Sequence, residues 1–594
     1  MRRGLALAAL LLGSGSEILA QEAVKNPDTF TYAVVGDVDS LDPDWQYDGI
    51  SCLAMWQIYE TLIIYKGSSV SEFEPLISEK VPSKQNGLIS PDGLTYTLPI
   101  RKGVRFHDGT PLAPEDVKYS LMRFLFLDRP GGPSPLVLEP ILGVDTARDK
   151  GGNLVGALYD EADKAIQVRG NDVVVRLKKP FAPFLPILAS WGPVLSKSWS
   201  VAHGDWDGKK ETWAEQLGHK VKEASYLYDH ADGTGPFRLA FWNKREKQMV
   251  FERNEKYWRR PARLKTVILK TVDEFATRKL LIQAGDADAV LTERQYLPQL
   301  EGLEGVTVED GLPAGEVHTV FAFNFKINAA GNPDIGSGKL DGDGIPPDFF
   351  TDIHVRRGFA AAFDYDTFIR DGFRGKGKRA RGPILSALPG YNPRQPLTAY
   401  SPKAAAEEFK KAWGGRVWDK GFRFTISYQE GWADRRLACE MMKRGIEALN
   451  PKFRVDVRGI LWSTFLADMN AARLPMANLR WNIDYADAHN CVEPFLQSQG
   501  AWAGLMGYSN PVVDRLIGEA VGELDPAKRK ALYYKIQKIA HDDLPAIFTV
   551  EAYDVRVHRS WVKNWAYCPP MEYGYLYPVY KSAAQAPGRP RKNA

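Results

Sequence analysis

Strand-like and helix-like stretches alternate along almost the whole chain, and this alternation most restricts its fold. Val267-Ile268-Leu269 reads as a short apolar strand. Thr277 to Ala284 reads as a helix with Leu280, Leu281 and Ala284 on its apolar side, and Ala287-Asp288-Ala289-Val290 as a returning strand. Strand, helix, strand in that order predicts an α/β unit. Upstream, Phe30 to Val35 is a strand followed by an Asp-rich turn. Leu94 to Leu98 alternates like a strand, and Val104-Arg105-Phe106 is expected to continue a hairpin with it. Pro114-Glu115-Asp116 starts a helix with Val117, Leu121 and Phe124 on one face. Asp172 to Leu177 is a further strand, and Pro180, Pro183 and Pro186 punctuate the stretch after it. Near the C-terminus, Asn510-Pro511 and Asp525-Pro526 each match an N-cap followed by Pro at the first helical position. Val513, Leu516, Ile517, Ala520 and Val521 form one helical stripe, and Leu532, Ile536, Ile539 and Ala540 the next.

The N-terminus carries an address. Arg2 and Arg3 precede the short apolar run Leu5–Leu12, and Ile18-Leu19-Ala20 offers a cleavage point before Gln21. This pattern predicts a cleaved secretory signal peptide over residues 1–20. The run is much shorter than the roughly 20 apolar residues of a membrane span. No Cys lies near Ala20, so no lipid anchor is predicted and the expected location is the periplasm. The net charge of +4 is too small to imply nucleic acid, and the 16 Trp residues argue against disorder. The tail from Ala586 onward is expected to be disordered.

Motifs for catalysis are scarce. The chain has no GxSxG elbow, no HExxH and no complete phosphate loop: Gly336-Ser337-Gly338-Lys339 is followed by Leu340. Asp341-Gly342-Asp343-Gly344 reads as a solvated turn rather than a Ca²⁺ loop. Arg374 to Arg381 is expected to be an exposed basic loop. Cys52, Cys439, Cys491 and Cys568 show no metal spacing. Export permits one disulfide among them, closing a long loop. No metal, cofactor or enzymatic activity is expected.

Several segments, taken together, resemble one family: the extracellular solute-binding proteins of ABC importers, in the oligopeptide-, dipeptide- and nickel-binding group known as family 5. Ser40-Leu41-Asp42-Pro43 with Tyr59-Glu60-Thr61-Leu62 looks like the family's opening. The stretch from Leu98-Pro99-Ile100-Arg101-Lys102-Gly103-Val104 to Asp108-Gly109-Thr110-Pro111 resembles its most recognisable signature. Gly233-Thr234-Gly235-Pro236-Phe237, Asn254-Glu255-Lys256-Tyr257-Trp258, the segment Val355 to Asp364, and Trp481-Asn482-Ile483-Asp484-Tyr485 come in family order. The resemblance implies an α/β, two-lobed periplasmic binding protein fold (type II-like) with an extra inserted domain. It implies a discontinuous first lobe over residues 24–65, 200–315 and 559–585, an inserted domain over 66–199, and a second lobe over 316–558.

The resemblance also implies a function and a site. The protein is expected to capture di- or oligopeptides by hinge closure, as a monomer, and to deliver them to ABC permease subunits. An oligosaccharide-binding member of the same family is the alternative, and Trp191, Trp462, Trp481 and Trp502 would suit stacking on sugar rings. An exported hydrolase and a periplasmic chaperone are the rivals from other classes. Asp484 matches the Asp that receives a peptide's ammonium group, with Asp487 as the neighbouring alternative. A desolvated ammonium needs a charged acceptor, which is the physical reason for a carboxylate there. Arg480, Trp481 and Asn482 lie on the strand expected to pair with the peptide main chain, and Tyr485, Glu60 and Thr61 complete the expected ligand set. Arg480 departs from the small residue common there, and is expected to pair with a ligand carboxylate or with Asp484 or Asp487.

Overall fold

A computed structural model describes residues 23–218, 221–571 and 573–583. The expected signal peptide (1–20) and the tail from Ala586 lie outside these residues. Two large sheets organise the rest. The first has seven strands in the order 306–312, 554–559, 289–290, 29–34, 266–271, 248–253 and 237–243. Its centre is Thr29–Val34, parallel to both Ala289–Val290 and Thr266–Thr271. Phe30, Ala33 and Val34 are fully buried there, as the centre of a parallel sheet requires. The expected strand–helix–strand unit is present: Thr266–Thr271, helix Phe275–Ala284, then Ala289–Val290. Its apolar side is not the expected one. Phe275, Arg278 and Ile282 are buried, whereas Leu280 is 65% exposed. Arg278 can take a core position because its Nη1 donates to the Val272 and Asp273 carbonyls and its Nη2 to Glu293.

The second sheet has six strands in the order 377–379, 546–552, 316–323, 476–482, 422–429 and 453–460. The expected basic loop is therefore in part an edge strand: Gly377–Arg379 pairs with Val550–Ala552. Its cations are neutralised locally, Arg374 by Glu301 and Lys378 by Glu551. The helices Pro511–Gly522 and Pro526–Asp543 start as expected, each with its Asn or Asp accepting from backbone N–H groups of the first turn. The stripe Val513, Leu516, Ile517, Ala520 and Val521 is buried throughout.

A third, three-stranded sheet joins 95–99, 172–176 and 166–169. The expected hairpin of Leu94–Leu98 with Val104–Phe106 does not form. Thr95–Pro99 pairs with Asp172–Arg176, and residues 104–112 close on themselves around the Asp108-Gly109 turn, where Gly109 has φ +96°. Helix Pro114–Leu127 packs here with Val117, Leu121 and Phe124 buried. Arg123 is fully buried on it and ties three carboxylates: Asp42 at 2.6 Å, Asp44 at 2.5 Å and Asp205 at 2.7 Å. The Ser40–Pro43 motif is thus a knot between separate parts of the chain. Trp206 stacks on Tyr119, and Trp213 meets Phe126 edge-on.

Asp554–Arg559 returns the chain to the first sheet, antiparallel to Val306–Leu312. The expected disulfide is absent among the described residues: all four cysteines are buried free thiols. The Asp341–Gly344 segment is a turn, with Ser337 donating to Asp341 at 2.8 Å.

Candidate functional site

The site forms where the strand Met476–Asn482 runs out of the second sheet. Along its length this strand pairs antiparallel with Glu316–Phe323. On its other side Phe422–Gln429 runs parallel to it but meets only Met476, Ala477 and Asn478. Leu479 to Asn482 keep one backbone edge without a strand partner in that register. Such an edge can accept an added extended chain through main-chain hydrogen bonds. Alternation puts Arg480 and Asn482 on one face and Trp481 on the other.

Asp484 comes immediately after the strand. Asn490, at the start of helix His489–Leu496, grips it: the Asp484 N–H donates to Asn490 Oδ1 at 2.8 Å, and Asn490 Nδ2 donates to Asp484 Oδ2 at 3.0 Å. The Tyr47 hydroxyl, from the segment after the first central strand, donates to the same carboxylate. Trp191 Nε1 donates to the Asp484 carbonyl at 3.0 Å, and the Tyr47 and Trp191 rings meet edge to face at 5.4 Å. Two distant parts of the chain, at Tyr47 and Trp191, therefore converge on Asp484 beside its neighbour Asn490. Burial pushes the Asp484 carboxyl up to about 6, with Asn490 and Tyr47 acting in the opposite direction. The partners of this carboxylate are neutral, and no Lys or Arg forms an ion pair with it among the described residues. An enclosed carboxylate held by neutral donors is poised to accept a cation.

The other expected site residues divide sharply. Asp487 is occupied by Arg529 through two bonds of 2.6 and 2.8 Å. Arg480 pairs with Glu316 at 3.1 Å and stacks over Trp432 at 4.1 Å, rather than on Asp487. Trp481 donates to Asn490 and stands edge-on to Trp502, which in turn stands edge-on to Trp462. Asn482 is exposed beside the open strand edge. Tyr485 is turned into the core, its hydroxyl 2.8 Å from His489 Nδ1. Glu60 is buried and receives Tyr257 at 2.5 Å, Trp258 at 2.8 Å and Thr234 at 2.8 Å. Thr61 donates to the Ile63 carbonyl at 2.6 Å. The polar atoms of Glu60 and Thr61 are thus engaged inside the fold.

Residues that sequence reasoning missed complete the site. Arg435, in the first turn of helix Ala433–Glu447, is buried; its Nη1 reaches Gln429 at 3.3 Å and its Nη2 has no protein partner. Burial and the neighbouring Arg480 push it down to about 10. Glu316 answers both arginines: although burial works against it, Arg480 and His318 hold its carboxyl below the usual range. Tyr47 and Asn490 lie in or next to recognisable segments, but nothing local marks them as partners of Asp484.

Comparison with known proteins bears on the family and the fold. The family described as bacterial extracellular solute-binding proteins, family 5 Middle, matches residues 73–503. The probable D,D-dipeptide-binding periplasmic protein DdpA of Escherichia coli is 24% identical over 582 residues, covering 95% of this chain and 96% of its own. Heme-binding protein A of Haemophilus influenzae is 24% identical over 593 residues, covering 96% of each. The periplasmic binding protein DppA of Helicobacter pylori, solved with the peptide STSA, superimposes with a TM-score of 0.70 at 23% identity, covering 93% of this chain and 98% of that one. A family model spanning most of the described chain, and a shared fold along nearly its full length, place this protein among the family 5 bacterial extracellular solute-binding proteins.

Proposed function

We propose that this protein captures peptides with a free N-terminus and delivers them to the membrane subunits of an ABC importer, working outside the cytoplasmic membrane. The observation that carries this reading is the Asp484 carboxylate, enclosed and held only by neutral donors. The ligand ammonium docks on it and replaces lost water with a charge-assisted bond. The open backbone edge of Leu479–Asn482 pairs with the peptide main chain, which gives affinity without dictating side chains. Arg435 Nη2 and Arg480 supply positive charge for a ligand carboxylate.

The seven-stranded and six-stranded sheets are the two lobes, with residues 66 to about 218 as the inserted unit. Ligand bound to Asp484 also meets Tyr47 and Trp191, so contact with both sides stabilises the closed form. The role is capture by a monomer, without transformation of the solute and without nucleic acid. The names of the relatives support the peptide class, since one is called a dipeptide-binding protein and one structure holds a peptide. Calorimetry with di- to pentapeptides on purified protein tests the proposal. Saturable binding that N-acetylation abolishes is expected. Failure of every peptide, with binding of an oligosaccharide, would overturn it.

A further inference from the structure

A concave site lies at the far side of the first sheet. Pro27 and Asp28, the turn from Arg253 to Arg263, and Tyr580 and Lys581 enclose a cavity of about 480 Å³. It sits at the start of the parallel strands Thr29–Val34 and Thr266–Thr271. Tyr47 and Asp42 lie beyond the opposite, carboxyl ends of these strands, where α/β sheets place their solutes. The cavity is therefore separate from Asp484.

Its charges do not balance. Asp28 is taken by Lys265 at 2.7 Å, Glu255 by Arg253 at 2.7 Å, and Lys581 is held by Asp288 at 2.7 Å. Arg260 and Arg263 remain, both exposed and neither forming an ion pair among the described residues. One side chain rests on an aromatic ring, and the backbone of the other is pinned. The Arg263 guanidinium carbon lies over the Tyr580 ring, 3.5 Å from its centroid, which keeps the charge at the cavity rim. The Arg260 carbonyl accepts the Tyr577 hydroxyl at 2.9 Å, and Pro261 stiffens the turn between the two arginines. Next to it Arg259 donates to the Pro75 carbonyl at 2.7 Å, which anchors the turn from its other end. Two unpaired guanidinium groups at the rim of one concave surface suit an oxyanion with several equivalent oxygens, which a guanidinium fork can grip bidentately.

We propose that this cavity is an anion site for a phosphate-bearing group, gripped by Arg260 and Arg263. A free phosphate and a phospholipid headgroup share this chemistry, and the cavity volume admits either.

The test titrates purified protein with inorganic phosphate by calorimetry and, in parallel, sediments it with vesicles of phosphatidylglycerol or of phosphatidylcholine at low salt. The double variant R260E/R263E is compared with K84E/K403E, which makes the same change in net charge at exposed positions elsewhere. Melting temperature and peptide binding confirm that each variant is folded. Binding of phosphate alone, weakened at least fivefold by R260E/R263E and not by K84E/K403E, supports the site with a small anion as its ligand. Sedimentation with phosphatidylglycerol but not phosphatidylcholine, with the same dependence on variant, supports it with a headgroup as its ligand. Absence of both in the unmodified protein, or equal loss in the two variants, overturns it.

Discussion

Asn490 holds Asp484 from two directions, accepting its backbone N–H at 2.8 Å and donating to its carboxylate at 3.0 Å. One amide therefore fixes both the path of the chain and the orientation of the acidic group. Replacing Asn490 by Ala leaves a backbone N–H without its partner, at a cost of about 1–3 kcal/mol. Asn490→Ala is expected to weaken peptide binding about tenfold or more in calorimetry, with the larger part of the effect in the binding enthalpy. An unchanged dissociation constant would show that Asp484 needs no such support.

Peptide affinity should depend on pH through Asp484. Its carboxyl is pushed up to about 6 in the ligand-free protein, and a bound ammonium favours the ionised form. Below pH 6 the group is protonated and must release its proton before pairing. Affinity should be flat above about pH 7 and fall by up to about tenfold per pH unit below 6. Isothermal titration in buffers of different ionisation enthalpy would detect the proton released on binding at pH 5.

Stability should move the opposite way from function at the same residue. The folded pKa of Asp484 lies above the usual carboxylate value of 3.8. The stabilising contribution of its protonated form is therefore present at low pH and is lost as pH rises through about 6. Asp484→Asn keeps the shape and removes the buried charge. At pH 8 this variant should melt higher than the parent, by on the order of 1–2 kcal/mol, while losing free-amine peptides. Retained peptide affinity would remove Asp484 from the ligand role.

Glu60 makes a contrasting prediction. Three donors from residues 174 to 198 positions away converge on it. Glu60→Gln puts an amide N–H₂ among those donors and should lower stability by about 1–3 kcal/mol in chemical denaturation. Peptide affinity per folded molecule should change less than threefold. A large loss of affinity at full stability would return Glu60 to the ligand set.

Much of the framework could be read from the chain because its signals are local. The Asn510-Pro511 and Asp525-Pro526 starts are written within four residues, and the structure uses both as caps. Asp484 stands out as a candidate for the same reason: its neighbours Trp481, Asn482 and Tyr485 form a continuous motif. The features that escaped depend on parts of the chain that meet only after folding. Arg480 finds Glu316, 164 residues away, and Asp487 finds Arg529, so pairings inferred from adjacency failed. Tyr47 reaches Asp484 from a distant part of the chain, which no spacing records. The face of helix Phe275–Ala284 was misread because a buried Arg278 breaks the apolar pattern, and only its carbonyl partners explain it.

The Arg123 knot has a mechanical consequence. Its three carboxylates come from the stretch leading to Tyr47 and from the segment beyond Trp191, and all are buried with it. Removing a single member of such a cluster costs several kcal/mol, so it does not open in ordinary fluctuations. Under the proposed closing motion Tyr47 and Trp191 would consequently travel as one rigid body. They would reach Asp484 together or not at all, which would make the grip on a ligand an all-or-none event rather than a sequence of separate touches.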